Sequence, residues 1–269
     1  MAKPLLPDEL WQRIEPLLPA PKPRRFRYPG RKPLSNRQAL TGILFVLRTG
    51  INWNDLPVEL GAGSGSACRK RLQSWQRLGV WGRLHALLLA ELREADKIDW
   101  SRAAVDSSSV RALGGGEGAG RNPTDRGKLG SKHHAVVDAQ GVPLSATVTA
   151  ANAHDVKALL GAVDAIEPVA GKPGAPRRRP EALYGDRAYD SGPHREELRK
   201  RSIEPVIARQ RTEHGSGLGV YRWVVERFFA WLHHFRKLRI RTDYYSDNHL
   251  GLLKLACSII CLNYLLASP

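Results

Sequence analysis

Residues 102–112 read RAAVDSSSVRA. Small and β-branched residues flank one acid, Asp106, and no apolar spacing of three or four runs through the stretch, so it reads as a strand. It also marks a change of character. Before it the chain is written in helical periods. After it, strand-like and helix-like runs alternate.

Downstream comes a Gly-rich stretch, LGGGEGAGRNPTDRGKLGSKHH (113–134), and then HAVVDAQG (134–141) and PLSATVTAA (143–151). The last two read as strands joined by a Gly-containing turn, a hairpin with Asp138 as a turn acid. Asn152 and Asp155 frame a helix start, and 156–166 reads as helical. A Pro/Arg loop (171–181) leads to another strand, ALYGD (182–186). A helix near 193–200, a strand IEPVIAR (203–209), a long helix YRWVVERFFAWLHHFRKLRIR (221–241) and an apolar helix from Asn248 complete the chain. Three strands, helix, strand, helix, strand, helix is the order of a mixed α/β domain of the ribonuclease-H-like kind, here 99–269.

Upstream, 7–18 reads as a helix ended by Pro19. The segment 19–34 is Pro-rich and basic and reads as an extended arm, with Arg24, Arg25, Arg27, Arg31 and Lys32 interleaved with Phe26 and Tyr28. Ser35 is a good N-cap for a second helix that Gly50 would end. A third, 67–79, would turn Leu72, Trp75 and Leu78 inward and leave Arg69, Lys70, Arg71 and Arg77 outside. A fourth runs over 80–95. Short helices, one of them basic and introduced by a turn, suggest a helix-turn-helix-like DNA-binding module over 1–98.

Charge narrows the partners. Lys plus Arg number 42 against 26 Asp plus Glu, a formal net charge of +16. Nucleic acid is the leading partner, ahead of an anionic membrane. Cys68, Cys257 and Cys261 form neither a CxxC pair nor an even set, which fits a reducing compartment. The opening MAKPLLPDEL lacks the apolar run of a signal peptide. The run 250–266 carries Lys254 and Asn263 and reads as a packed helix, so a cytoplasmic, nucleoid-associated protein is expected.

Three acids stand out against this basic background. Projected as one helix, 221–241 puts Val224, Phe228, Trp231, Leu232, Phe235 and Leu238 on one face. Arg222, Glu226, His233 and Lys237 fall on the other. Alone, that face reads as solvated, with an i,i+4 Arg222–Glu226 pair worth roughly 0.3–0.5 kcal/mol. Asp106 and Asp186, at the ends of upstream strand-like runs, change the reading, because strand-end carboxylates and Glu226 can converge at a sheet edge. Like charges a few Å apart raise one another's pKa unless a cation offsets them. Hard oxygen donors suit Mg²⁺ or Mn²⁺, and two such ions suit in-line phosphoryl transfer. His133, His134 and His154 lack the spacing of a closed zinc site. Ser107 has no Ser-His-Asp context.

Several of these motifs, in this order, resemble the DDE transposases of bacterial insertion sequences, specifically the insertion-sequence-five family. The carrying residues are VDSSSVRA around Asp106, NPTDRGKLGSKHH at 122–134, TAANAHD at 149–155, LYGDRAYDS around Asp186, and RWVVERFFAWLHHFRKLRIR around Glu226; LTGILFVLRTGINWNDLP and WQRLGVWGRL match in the first half. The resemblance implies that Asp106, Asp186 and Glu226 are the catalytic and metal-holding triad. It implies binding of terminal inverted repeats and target DNA, and a dimer or larger assembly on DNA. In the related Tyr-x2-Arg-x3-Glu-x6-Lys signature, Arg222 and Glu226 match, Gly219 stands at the Tyr position and His233 at the Lys position. DNA contacts are expected from the arm, Arg69, Lys70, Arg71, Arg126, Lys128, Lys132, Arg177–Arg179, Arg222, His233, Arg236, Lys237 and the rest of the basic run to Arg241. A catalytically decayed DNA-binding relative and a nuclease that does not join ends are the alternatives.

Overall fold

The structure, a computed structural model, describes residues 4–20, 26–27, 32–209 and 219–267. Arg24, Arg25 and Arg31 of the expected arm lie outside the described residues; Arg27 and Lys32 lie within them and are exposed.

The first region is helical: α1 (Asp8–Ile14), α2 (Asn36–Thr49), α3 (Gly65–Arg77) and α4 (Val80–Glu94). Local chemistry sets the α2 boundaries. The Ser35 hydroxyl accepts the Gln38 N–H at 3.2 Å while the Gln38 side chain accepts the Ser35 N–H at 3.3 Å, a complete capping box. Gly50 closes the helix in the left-handed region at φ 78°. Trp75 and Trp81 meet edge to face, and Trp81 Nε1 donates to the Leu72 carbonyl, which ties α3 to α4. Leu78, expected inward, is 52 % exposed, because α3 ends at Arg77 and Leu78 falls in the turn.

The second region is built on a mixed sheet of β1 (Ala103–Ala112), β2 (Gly120–Arg121), β3 (Leu129–Asp138), β4 (Pro143–Ala150), β5 (Ala182–Gly185), β6 (Glu204–Ile207) and β7 (Ile240–Arg241). The main order is β4-β3-β1-β5-β6, with β3 antiparallel to β1 and β4, and β1, β5 and β6 mutually parallel. That order and polarity are those of the ribonuclease-H-like fold. The strand after the Gly-rich loop starts at Leu129, earlier than the apolar pattern suggested, because Gly130 to Lys132 pair with β1 whatever their polarity.

Helices cover both faces. α5 (Asp155–Asp164), which packs on β3, β4 and α6 (Gly192–Lys200), lies on one side; α7 (Gly219–Leu232) packs on β1 and β3, and α8 (Ser246–Leu266) on β4. α8 also runs along α4 and touches α3, so the N-terminal helices and the sheet share one buried apolar cluster. By length and composition α8 is apolar enough to cross a membrane, but it is largely buried and serves as the central core helix.

Two expectations need correction. Asp106 neither ends nor interrupts its strand; it lies inside the continuous ten residues of β1. The helix at 221–241 stops at Leu232. Its last bonds tighten to three-residue spacing (His234 to Trp231, Phe235 to Leu232), and the chain then docks on the end of α2. There Arg236 packs against Gly50, and Lys237 Nζ donates to the Ile51 carbonyl at 3.1 Å. Tertiary contact, not periodicity, ends this helix.

Candidate active site

β1 has a gap along one edge. β5 pairs with Ala103 and Ala104, β7 pairs with Arg111 and Ala112, and no described strand covers the residues between. Asp106 lies in that gap. Two steps beyond the pair Ala104↔Tyr184, the parallel register sets Asp106 beside Asp186, the residue that follows β5. Neighbouring strands run about 4.8 Å apart, so the two acids share one rim.

Asp186 caps a short turn, its carboxylate accepting the Ala188 N–H at 2.9 Å. α7 crosses this rim. Arg222 reaches Asp106 Oδ2 at 3.4 Å, and Glu226, one turn later, is exposed. Asp106 Oδ1 accepts the N–H of Ser107 at 2.8 Å. Burial pushes the Asp106 carboxyl up to about 6; the Ser107 N–H and the Arg222 guanidinium oppose that rise, and the charges of Asp186 and Glu226 add to it. Asp106 thus lies within electrostatic reach of the other two acids.

The donor set fits a divalent cation: carboxylate oxygens are hard ligands, and an ion would relieve the repulsion that raises Asp106. Among the described residues no three His, Cys, Asp or Glu side chains stand close enough to enclose a metal, so the trio is an open rim rather than a closed cage.

The expected DNA contacts divide. Lys70, Arg126, Lys128 and Arg236 are exposed. Arg69 is half-exposed, 3.6 Å from Asp243. His233 is half-buried, its Nε2 3.4 Å from the Ser108 hydroxyl. Arg71 turns inward to Asn36 Oδ1 and the Leu34 carbonyl. Lys132 faces Asp155 and the Ala153 carbonyl. Lys237 is 2 % exposed and Arg241 is fully buried, which takes both off the surface. Arg178 and Arg179 are engaged locally, Arg178 on the Ile166 carbonyl and Arg179 on Asp164. Burial withdraws Lys237 and Arg241 from the surface, whereas the partly exposed arginines keep further N–H donors beyond their internal partners. What sequence reasoning missed is the pairing of Lys132 with Asp155; the TAANAHD stretch offers His154-Asp155 as a helix cap or a support behind the site, but names no partner for Lys132.

Two family profiles match the chain. One, described as a putative transposase of IS4/5 family (DUF4096), matches residues 6–85; the other, a transposase DDE domain, matches residues 101–261. The putative transposase for insertion sequence element IS402 of Burkholderia cepacia is 60 % identical over 146 residues, 54 % of this chain and 69 % of that protein. The insertion element IS402 uncharacterized 16.2 kDa protein of the same organism is 67 % identical over 123 residues, 46 % of this chain and 84 % of that protein. Among solved structures, the Mos1 mariner paired end complex with Mn aligns over 94 % of this chain and 86 % of its own, at 12 % identity and a TM-score of 0.34, too low to add to the strand order. By the profiles that cover its two regions, the chain belongs to the IS4/5 family of insertion-sequence transposases with a DDE catalytic domain.

Proposed function

We propose that this transposase binds the terminal inverted repeats of its element, nicks DNA at the ends, and joins the released 3′-hydroxyls to target DNA. The observation that carries the reading is the position of Asp106 in the open edge of β1, beside Asp186 at the end of β5 and facing Arg222 of α7, one turn before Glu226. Asp106 and Asp186 would hold two Mg²⁺ or Mn²⁺ ions, and Glu226 would complete the set. Such ions activate the attacking oxygen and stabilise the leaving one. Arg222 supplies a positive charge beside Asp106, suited to a scissile phosphate.

Residues 1–98, with the arm at 19–34, recognise the repeats, and 99–269 performs the chemistry. Exposed Lys70, Arg126, Lys128 and Arg236 add affinity that is independent of sequence and steep in salt. Two ends must be handled together, so a dimer or larger assembly forms on DNA. The test is cleavage of DNA carrying the ends, with Mg²⁺, Mn²⁺ or chelator. Metal-dependent nicks at the ends, lost in Asp186→Asn with binding intact, support the reading. End binding without any metal-dependent cut supports a decayed, DNA-binding relative instead, and nicking without joining supports a plain nuclease.

A further inference from the structure

Alternation along β1 sends Ser107 to the side opposite Asp106, toward α5. A second cluster lies there. Ser107 Oγ donates to Asp155 Oδ1 at 2.8 Å. Lys132 Nζ, from β3, donates to both oxygens of the same carboxylate, at 3.1 and 3.2 Å, and to the Ala153 carbonyl at 2.9 Å. The Lys132 and Asp155 side chains are only 14 % and 19 % exposed. His134 is fully buried beside them, with Nε2 on the Thr149 hydroxyl and Nδ1, 4.0 Å from Asp155, without a partner.

The cluster reaches both acid-bearing segments. Ser107, which Asp155 grips through its hydroxyl, is the residue whose N–H holds Asp106 Oδ1. Tyr189 ends the turn that Asp186 begins, and its ring is buried. α5, which begins at Asp155, packs against that turn. A buried ion pair used only for stability needs no such connection; apolar side chains of similar volume would hold β1 to α5 as well.

We propose that Asp155, held by Lys132, is a positioning residue for the metal-bearing acids: through Ser107 it fixes the direction of the Asp106 carboxylate, and through the packing of α5 on the turn that follows Asp186 it holds the spacing of Asp106 from Asp186. This rests on the reading of Asp106 and Asp186 given above. Mg²⁺ demands near-ideal octahedral geometry, so a small rotation of one carboxylate is felt in metal uptake. Partners behind the ligands of a metal site commonly matter by about 10–100-fold in affinity.

The test uses the full chain. Mn²⁺ binding is followed by electron paramagnetic resonance without DNA, and end cleavage is measured in Mg²⁺ and in Mn²⁺. Melting and end-DNA binding serve as controls. Asp155→Asn is expected to weaken Mn²⁺ binding about 10–100-fold and to lose more cleavage in Mg²⁺ than in Mn²⁺. Ser107→Ala, which removes one hydroxyl and keeps the Lys132–Asp155 pair, should show the same bias more weakly. Should Asp155→Asn fail to fold, Ser107→Ala decides. Wild-type Mn²⁺ affinity with a wild-type ratio of Mg²⁺ to Mn²⁺ activity overturns the proposal. Asp106→Asn separates the two ideas. If it too binds Mn²⁺ and cleaves normally, the assignment of the acids fails. If it loses both while the other two variants are unchanged, only the positioning role fails.

Discussion

The two faces of β1 hold charge in opposite ways. On the α7 side, Asp106 keeps one cation at 3.4 Å and two acidic neighbours, and its charge is left partly unresolved. On the α5 side, Asp155 is matched by Lys132 and Ser107 at ordinary hydrogen-bond distances and is largely shielded from water. Residues adjacent in sequence thus face an open acidic rim on one side and a satisfied ion pair on the other. Unresolved like charge at an open edge is where a cation gains most, whereas a satisfied pair gains nothing from one.

The sharpest way to break this contrast is at the rim. Asp106→Asn or Asp186→Asn should cut end cleavage on the order of 10³-fold or more while leaving end binding in place. A variant that nicks like the wild type would remove the α7 side from the chemistry. A gel-shift assay beside the nicking assay reads both quantities.

Next in size is a buried cation spent on structure. Arg241 donates to the Ser131 hydroxyl at 2.7 Å and to the carbonyls of Asp243, Tyr244 and Glu117. Arg241→Ala takes the donor from the buried Ser131 hydroxyl and Asp243 carbonyl and should cost about 2–4 kcal/mol in stability, read by denaturant unfolding. Little change would mean that water replaces the guanidinium.

The rim should also be visible in pH. Burial raises the folded-state pKa of Asp106 from the ordinary 3.8 to about 6. Its contribution to stability is therefore present below about 4 and lost as pH rises through about 6. Relative to wild type, Asp106→Asn should gain stability between pH 4 and pH 7 and then level off. A difference in melting temperature that stays flat over that range would mean Asp106 ionises as an exposed acid does.

The smallest effects belong to single exposed cations. Lys128→Ala should weaken binding to any duplex a few-fold and reduce the salt slope by about 1. Lys237→Met should leave that slope unchanged, because the buried ammonium serves the Ile51 carbonyl. Equal slopes for both variants would refute the division between surface and internal cations.

Much of this was legible in one dimension. The Ser35 cap and Gly50 stop marked α2 because capping is a local event. The ALYG strand and the Asp186 that follows it stood out through composition and a turn-prone end. Asp106 was singled out correctly as an acid in a strand, although its place within β1 was misjudged. The reach of the 221–241 helix was not legible, since what ends it is the far end of α2. Nor was the fate of Lys132, whose partner is 23 residues away on another element.

What the sequence determined by itself is the set of local commitments: which runs are helical, which are extended, where caps and turns fall, and that a +16 chain carries three acids in strand or helix contexts. Each follows from contacts a few residues apart. What only the tertiary structure decided is which charges meet. The β1–β5 register brings Asp106 beside Asp186, α7 brings Arg222 against Asp106, and the α5 side removes Lys132 from the surface. Electrostatic coupling acts through space over a few Å, and linear spacing carries no information about that distance until the sheet has closed.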